Sequence, residues 1–184
     1  VPGGGLFATG LGGVGGRAKV RRETLAARCA RAAEIVAAEP DEPWLLWCGL
    51  NDEADELARL IPGSVSDHGA WSPQEKADAF LGFADGTIRT IITKPSIAAF
   101  GLNWQHCARM VFVGLNDSYE AYYQAIRRCY RYGQTRIVHA HVVLSDLESQ
   151  IAANIARKER SAGSVTDALV AEMRSARTAM EIAS

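Results

Sequence analysis

Gln124, Arg128 and Arg131 stand at i, i+4 and i+7. At about 100° per residue, a helix puts them on one face within an arc of roughly 60°. Two planar guanidiniums that stay charged, with an amide beside them, suit a polyanion such as a triphosphate. The plain alternative is a surface helix salt-bridged to its neighbours. It is weakened by what i±3 and i±4 spacing offers Arg128 and Arg131, since none of those positions is an acid.

Other chemistry-bearing strings read as decoys. Gly10-x-Gly12-x-x-Gly15 spells a dinucleotide fingerprint, but that motif needs a strand before it and a helix after it. Only nine residues precede it, three of them consecutive glycines. It is no phosphate loop either, because no Gly-Lys-Ser/Thr follows. Asp52-Glu53-Ala54-Asp55 could hold magnesium at a strand end. These acids run on into Glu56, however, and read as an outward, solvated helix face. His139 and His141 share a strand face without a third ligand, which favours structural histidines over a metal site. His106-Cys107 suggests a thiol nucleophile, with packing the preferred role. The four cysteines form no C-x-x-C, so they read as buried free thiols in a reduced, cytoplasmic setting.

The elements that must position these groups alternate along the chain. Leu25, Cys29, Ala32 and Val36 recur at helical spacing from Arg17 until Pro40 and Pro43 intervene. Residues 44–50 form an apolar run that predicts a buried strand. The next helix has Leu57, Leu60 and Ile61 inward and Glu53, Asp55, Glu56 and Arg59 outward. A short strand at 64–67 precedes a helix from Ser72, with Ser as N-cap, Pro73 at the first position and Glu75 in the first turn. Strands are predicted at 89–93, 109–114 and 136–144. Ser118 opens a helix through Tyr130, and Asp146 one towards Arg160. Val165, Leu169, Met173, Ala176 and Met180 stripe a C-terminal amphipathic helix. The strands are continuously apolar, as when both faces are covered. The expectation is an α/β fold: a parallel sheet flanked by helices, with right-handed crossovers.

The 184 residues suffice for one domain with its own core. Lys and Arg number 20 against 21 Asp and Glu, so polyanion contact must be a local patch rather than a basic blanket. No apolar run approaches the roughly 18 residues of a membrane span, and the start carries no secretory signal. Val1 in place of an initiating Met suggests a processed or excised fragment. Residues 1–16 read as a flexible Gly-rich leader, 17–163 as the folded lobe, and 164–184 as the C-terminal helix.

Gln124-Ala125-x-x-Arg128-x-x-Arg131-x-Gly133-Gln134 resembles motif VI of superfamily-two helicases and translocases. The Gln-Ala start and Gly-Gln finish resemble the Swi/Snf-type branch. Gly101-Leu102-Asn103 resembles motif V. His68-Gly69, Ser72-Pro73-Gln74-Glu75-Lys76 and Phe83 resemble the connecting motif before it, and residues 44–50 the strand of motif IV. Thr93-Lys94-Pro95 with the segment Gly101 to Cys107 looks most like phage and prophage helicases of this branch. The resemblance covers about residues 40–148. Ala98 and Ala99 replace the branch's paired glycines. Gly114 and Asp117-Ser118-Tyr119 stand where an Asp and a Trp-Asn-Pro usually precede motif VI.

The phosphate-loop lysine, the magnesium-binding acids and motif III belong to the first lobe of such motors and have no counterpart here. The resemblance therefore implies a second RecA-like lobe, without its own phosphate loop, and inactive alone as an ATPase. It implies Arg131 as arginine finger, Arg128 as its phosphate-contacting partner and Gln124 as an ordering residue. Gly101 and Asn103 would serve nucleotide binding, and His68, Gly69, Thr93 and Ser96 would hold the nucleic-acid backbone. ATP and Mg2+ would be bound mainly by the other lobe. The partners implied are that N-terminal lobe and a nucleic acid, DNA before RNA, with no membrane. The rival reading is a stand-alone, non-catalytic module that binds nucleic acid or protein. For Tyr119, Tyr122, Tyr123, Tyr130 and Tyr132, core packing and lobe–lobe contact are expected ahead of base stacking.

Overall fold

The structure, a computed structural model, describes residues 21–67, 71–96, 103–114, 119–145, 157, 160 and 161. The leader 1–16, the helix expected from Asp146 (Arg157 and Arg160 apart) and the helix within 164–184 lie outside the described residues.

Helix α1 (Leu25–Ala38) buries Cys29, Ala32 and Val36, the expected stripe, and Arg28 with them. It gives way at Glu39, just before Pro40, which has no N–H to continue it. Strand β1 (Trp44–Cys48) is buried at all five positions. Then come α2 (Asn51–Leu60), β2 (Val65–Ser66), α3 (Pro73–Asp85), β3 (Thr90–Thr93), β4 (Arg109–Val113), α4 (Tyr119–Ile126) and β5 (His139–Val143).

The five strands form one sheet in the order β2-β3-β1-β4-β5, parallel at every pairing. Alternation along β1 divides the core. Leu45 and Trp47 face a cluster with Phe80 and Phe83 of α3 and Ala125 of α4. Trp44, Leu46 and Cys48 face a cluster with Cys29, Val36 and Leu57 of α1 and α2. Helices thus cover both faces of the sheet, as the apolar strands require. Trp104 anchors the first cluster, with ring centroids 5.3 Å from Phe83 and 5.7 Å from Phe80.

The start of α3 follows its sequence signals. The Glu75 N–H donates to Ser72 Oγ at 3.3 Å, and the Ser72 N–H donates to Glu75 Oε2 at 2.7 Å. The helix ends at Gly86, whose φ of 85° is the left-handed cap that glycine tolerates best.

Three expectations are corrected. Glu53 does not point outward; it is fully buried. The helix expected through Tyr130 stops at Ile126 and tightens into turns. Strand β5 is not continuously buried, because as an edge strand it leaves His139, Ala140 and Val142 exposed.

Candidate functional site

Beyond Ile126 the chain keeps winding, with altered hydrogen bonds. The Arg127 N–H donates to Tyr123 O, Arg128 to Ala125 O, Cys129 and Tyr130 to Ile126 O, and Arg131 to Cys129 O. The last is an i−2 bond, so Arg131 has left the helix. One helix face therefore does not carry Gln124, Arg128 and Arg131 together. The two arginines still meet electrostatically. Burial pushes the Arg128 guanidinium's pKa below its usual value, and the charge of Arg131 adds to that shift. Arg128 is half-buried, while Gln124 and Arg131 are exposed.

The segment before β4 meets this turn. The Trp104 N–H donates to Arg128 O at 3.0 Å. Asn103, the residue before Trp104, is exposed. The structure therefore brings the Asn103 segment against Arg128. Gly101 lies outside the described residues. Gln134 donates from Nε2 to Gln105 O at 2.8 Å, Cys107 O at 3.1 Å and Cys129 O at 3.3 Å. All these groups precede β4 or β5, so they belong to the amino edge of the sheet.

Of the nucleic-acid candidates, Thr93 and Ser96 lie at the opposite, carboxyl edge. Ser96 is exposed just past β3. Thr93 is buried, 1% exposed, and its hydroxyl donates to Asp67 Oδ2 at 3.4 Å. Its side chain is thus a brace between strand ends rather than a surface contact. Lys76 Nζ lies 3.4 Å from Asp67 Oδ1 and adds charge to the same corner. Lys94, beside Ser96, donates from Nζ to Asn51 Oδ1 at 2.5 Å. His68 and Gly69, which follow Asp67, lie outside the described residues.

Between β1 and β4 the chain order reverses, and in open α/β sheets that crevice is where ligands sit. Here it holds a cavity of about 40 Å³ lined by Arg21, Gly49, Pro95 and Gly114 among others, room for about one water. The chain fills the rest. The Glu53 carboxylate accepts the N–H groups of Gly49 at 2.8 Å and Leu50 at 3.0 Å. It also takes Arg28 Nη1 at 2.8 Å and Arg21 Nη2 at 3.0 Å. The helix-start donors that a phosphate loop would turn to a phosphate are turned to an internal carboxylate instead. Burial, with the Glu53 charge second, pushes the neighbouring Cys29 and Cys48 thiols up to about 12.

Sequence reasoning missed Arg21, Arg28, Glu53 and the hydrogen bonds of the Gln134 side chain. A signal existed for two of them. Arg28 shares the face of Leu25 and Ala32, and Glu53 shares the face of Leu57.

Among the tyrosines, Tyr122 packs on Phe112 with ring centroids 4.8 Å apart. Tyr123, Tyr130 and Tyr132 are exposed, so core packing is corrected for these three. The Arg127 guanidinium lies 5.6 Å over the Tyr123 ring. His141 rests 5.9 Å from the Trp44 ring, and His139 is exposed. Among the described residues no three His, Cys, Asp or Glu side chains group as a metal site. No described helix is long and apolar enough to cross a membrane.

Similar folds recur in solved structures. The C-terminal part of the Fun30 ATPase domain matches at a TM-score of 0.60 and 16% identity, covering 70% of this chain and 45% of that one. The C-terminal domain of the DEAD-box protein Dbp5 matches at 0.61 and 15%, covering 72% and 78%. A DEAD box protein from the hyperthermophile Methanococcus jannaschii matches at 0.62 and 18%, covering 72% and 37%. The chain thus spans under half of the Fun30 piece. No curated protein matches it. The family described as helicase conserved C-terminal domain matches residues 29–133, beginning inside α1 and ending at Gly133. With its parallel RecA-like sheet, this chain belongs to the helicase conserved C-terminal domain family.

Proposed function

We propose that the chain is the second lobe of an ATP-dependent translocase of the Swi/Snf-type, phage-like branch, acting on DNA. In that reading Arg131 is the arginine finger, Arg128 contacts phosphate beside it, and Gln124, Gly101 and Asn103 help order the nucleotide. His68, Gly69 and Ser96 hold the nucleic-acid backbone, with Thr93 bracing the carboxyl edge of the sheet. ATP and Mg2+ are bound mainly by an N-terminal lobe, and the chain by itself does not turn ATP over.

One observation carries the reading: the Asn103–Trp104 segment is hydrogen-bonded to Arg128, whose charge interacts with that of Arg131. This gathers amide and guanidinium groups at one edge, as charge neutralisation on a transferring phosphoryl group requires. Small polar groups at the carboxyl edge suit backbone contact without sequence reading.

The test is ATP turnover with and without DNA, for this chain and for a protein joining it to a first lobe. The expected result is a silent chain beside a DNA-stimulated two-lobe protein. Robust turnover by the chain alone, or none by the two-lobe protein, overturns the proposal.

A further inference from the structure

We propose that Gln134 is a positioning residue: its side-chain amide clasps the turn carrying Arg128 and Arg131 to the segment before β4, and so sets where the two guanidiniums stand. This rests on the nucleotide-facing role proposed above for the arginines.

The need for a clasp follows from where α4 ends. Helix geometry fixes a side chain only while the i→i−4 ladder continues, and here the helix stops at Ile126. Carbonyls of the final turns then require other donors. The Arg128 carbonyl takes the Trp104 N–H at 3.0 Å. The next carbonyl, of Cys129, takes the Gln134 amide at 3.3 Å as well as the Arg131 N–H at 3.1 Å. Two successive carbonyls between the arginines are thus tied to the segment at 104–107, one by backbone and one by a side chain.

An amide suits this place, with a donor side and an acceptor side. Three carbonyl oxygens, of Gln105, Cys107 and Cys129, surround Nε2 within 3.3 Å. On the other side Oε1 accepts the Arg136 N–H at 2.9 Å. A flipped amide would set oxygen against three carbonyls, so the orientation is determined. A glutamate lacks the donors and a lysine lacks the acceptor. Gly133 supplies the turn that aims Gln134 back beneath the chain. Its φ is 94°, and a Cβ there would stand 2.8 Å from Gln105 Oε1.

The first test is amide hydrogen exchange on this chain with Gln134→Met, which keeps the volume and removes the hydrogen bonds. Exchange at Trp104 and Arg131 should rise at least about tenfold as the turn opens locally. Unchanged exchange at both amides overturns the clasp. In the two-lobe protein the same variant should lower kcat by about 10²-fold, the scale of a misplaced catalytic group, with KM for ATP little changed. Wild-type kcat in the folded variant overturns the positioning role.

Gln134→Glu gives a second route should Gln134→Met fail to fold. Its carboxyl can donate only when protonated, so turnover relative to wild type should climb as pH falls; a flat ratio overturns the proposal. Faster exchange together with normal turnover in Arg131→Ala would uphold the tie and remove the nucleotide-facing reading instead.

Discussion

Arg28 of α1 donates to the Glu53 carboxylate of α2 at 2.8 Å, and the two side chains are 2% and 0% exposed. Arg21 reaches the same carboxylate with Nη2, 3.0 Å from each oxygen. The arrangement holds α1 against the start of α2 and fills the sheet's switch-point crevice. Breaking such a pair leaves an uncompensated buried charge, which costs far more than the intact pair contributes.

Glu53→Ala should therefore destabilise the chain by about 3–5 kcal/mol, the range for a broken buried pair. Asp52→Ala, one residue earlier and exposed, should cost under about 1 kcal/mol through the helix dipole alone. Urea unfolding of both variants checks this, and equal losses would contradict the burial of Glu53.

Arg131→Ala in the two-lobe protein should lose ATP turnover by about 10³–10⁵-fold, the worth of an arginine finger, while most nucleotide affinity remains. Steady-state turnover with a nucleotide-binding titration separates the two effects. Unchanged turnover would remove Arg131 from the finger role.

Stability should fall in mild acid. Burial holds the His106 imidazole below its usual 6.5, against the opposing charge of Asp85. His141 is held down by burial first and by the His139 charge next. The folded state then binds fewer protons than the unfolded one below 6.5. Their contribution is present above that pH and is lost as pH falls through the depressed folded values. Thermal unfolding from about pH 7.5 to about pH 5.5 should show Tm dropping, and His106→Gln with His141→Gln should flatten the drop. A flat wild-type profile would contradict the shifts.

Ser72→Ala should cost about 1 kcal/mol, since it removes the oxygen that caps α3, and lower Tm by about 2–4 °C. Ser72→Gly should cost only a few tenths of a kcal/mol. A melt of each variant decides it, and a neutral Ser72→Ala would mean that Glu75 alone holds the helix start.

The sequence by itself determined the element order and the layered α/β class. Apolar runs such as residues 44–48 are legible because β1 is covered on both faces, and Ser72 as N-cap with Glu75 in the first turn is a local signal with a local cause. The resemblance of residues 124–134 to motif VI, too, rests on the string alone, because residue types and spacing are themselves the signal. Only the tertiary structure decided what Glu53 does. An acid in a charge run looks solvated until two arginines, 25 and 32 residues earlier, surround it. It also decided that Arg131 lies beyond α4, since where a helix gives way to turns depends on which distant groups take the carbonyls there. Just past Ile126, Trp104 and Gln134 take those of Arg128 and Cys129, and no periodicity encodes a donor arriving from another element. Burial of Thr93 and exposure of β5 follow the same rule. Both depend on position within the sheet, set by the pairing order β2-β3-β1-β4-β5, which is a property of the folded chain and not of any window along it.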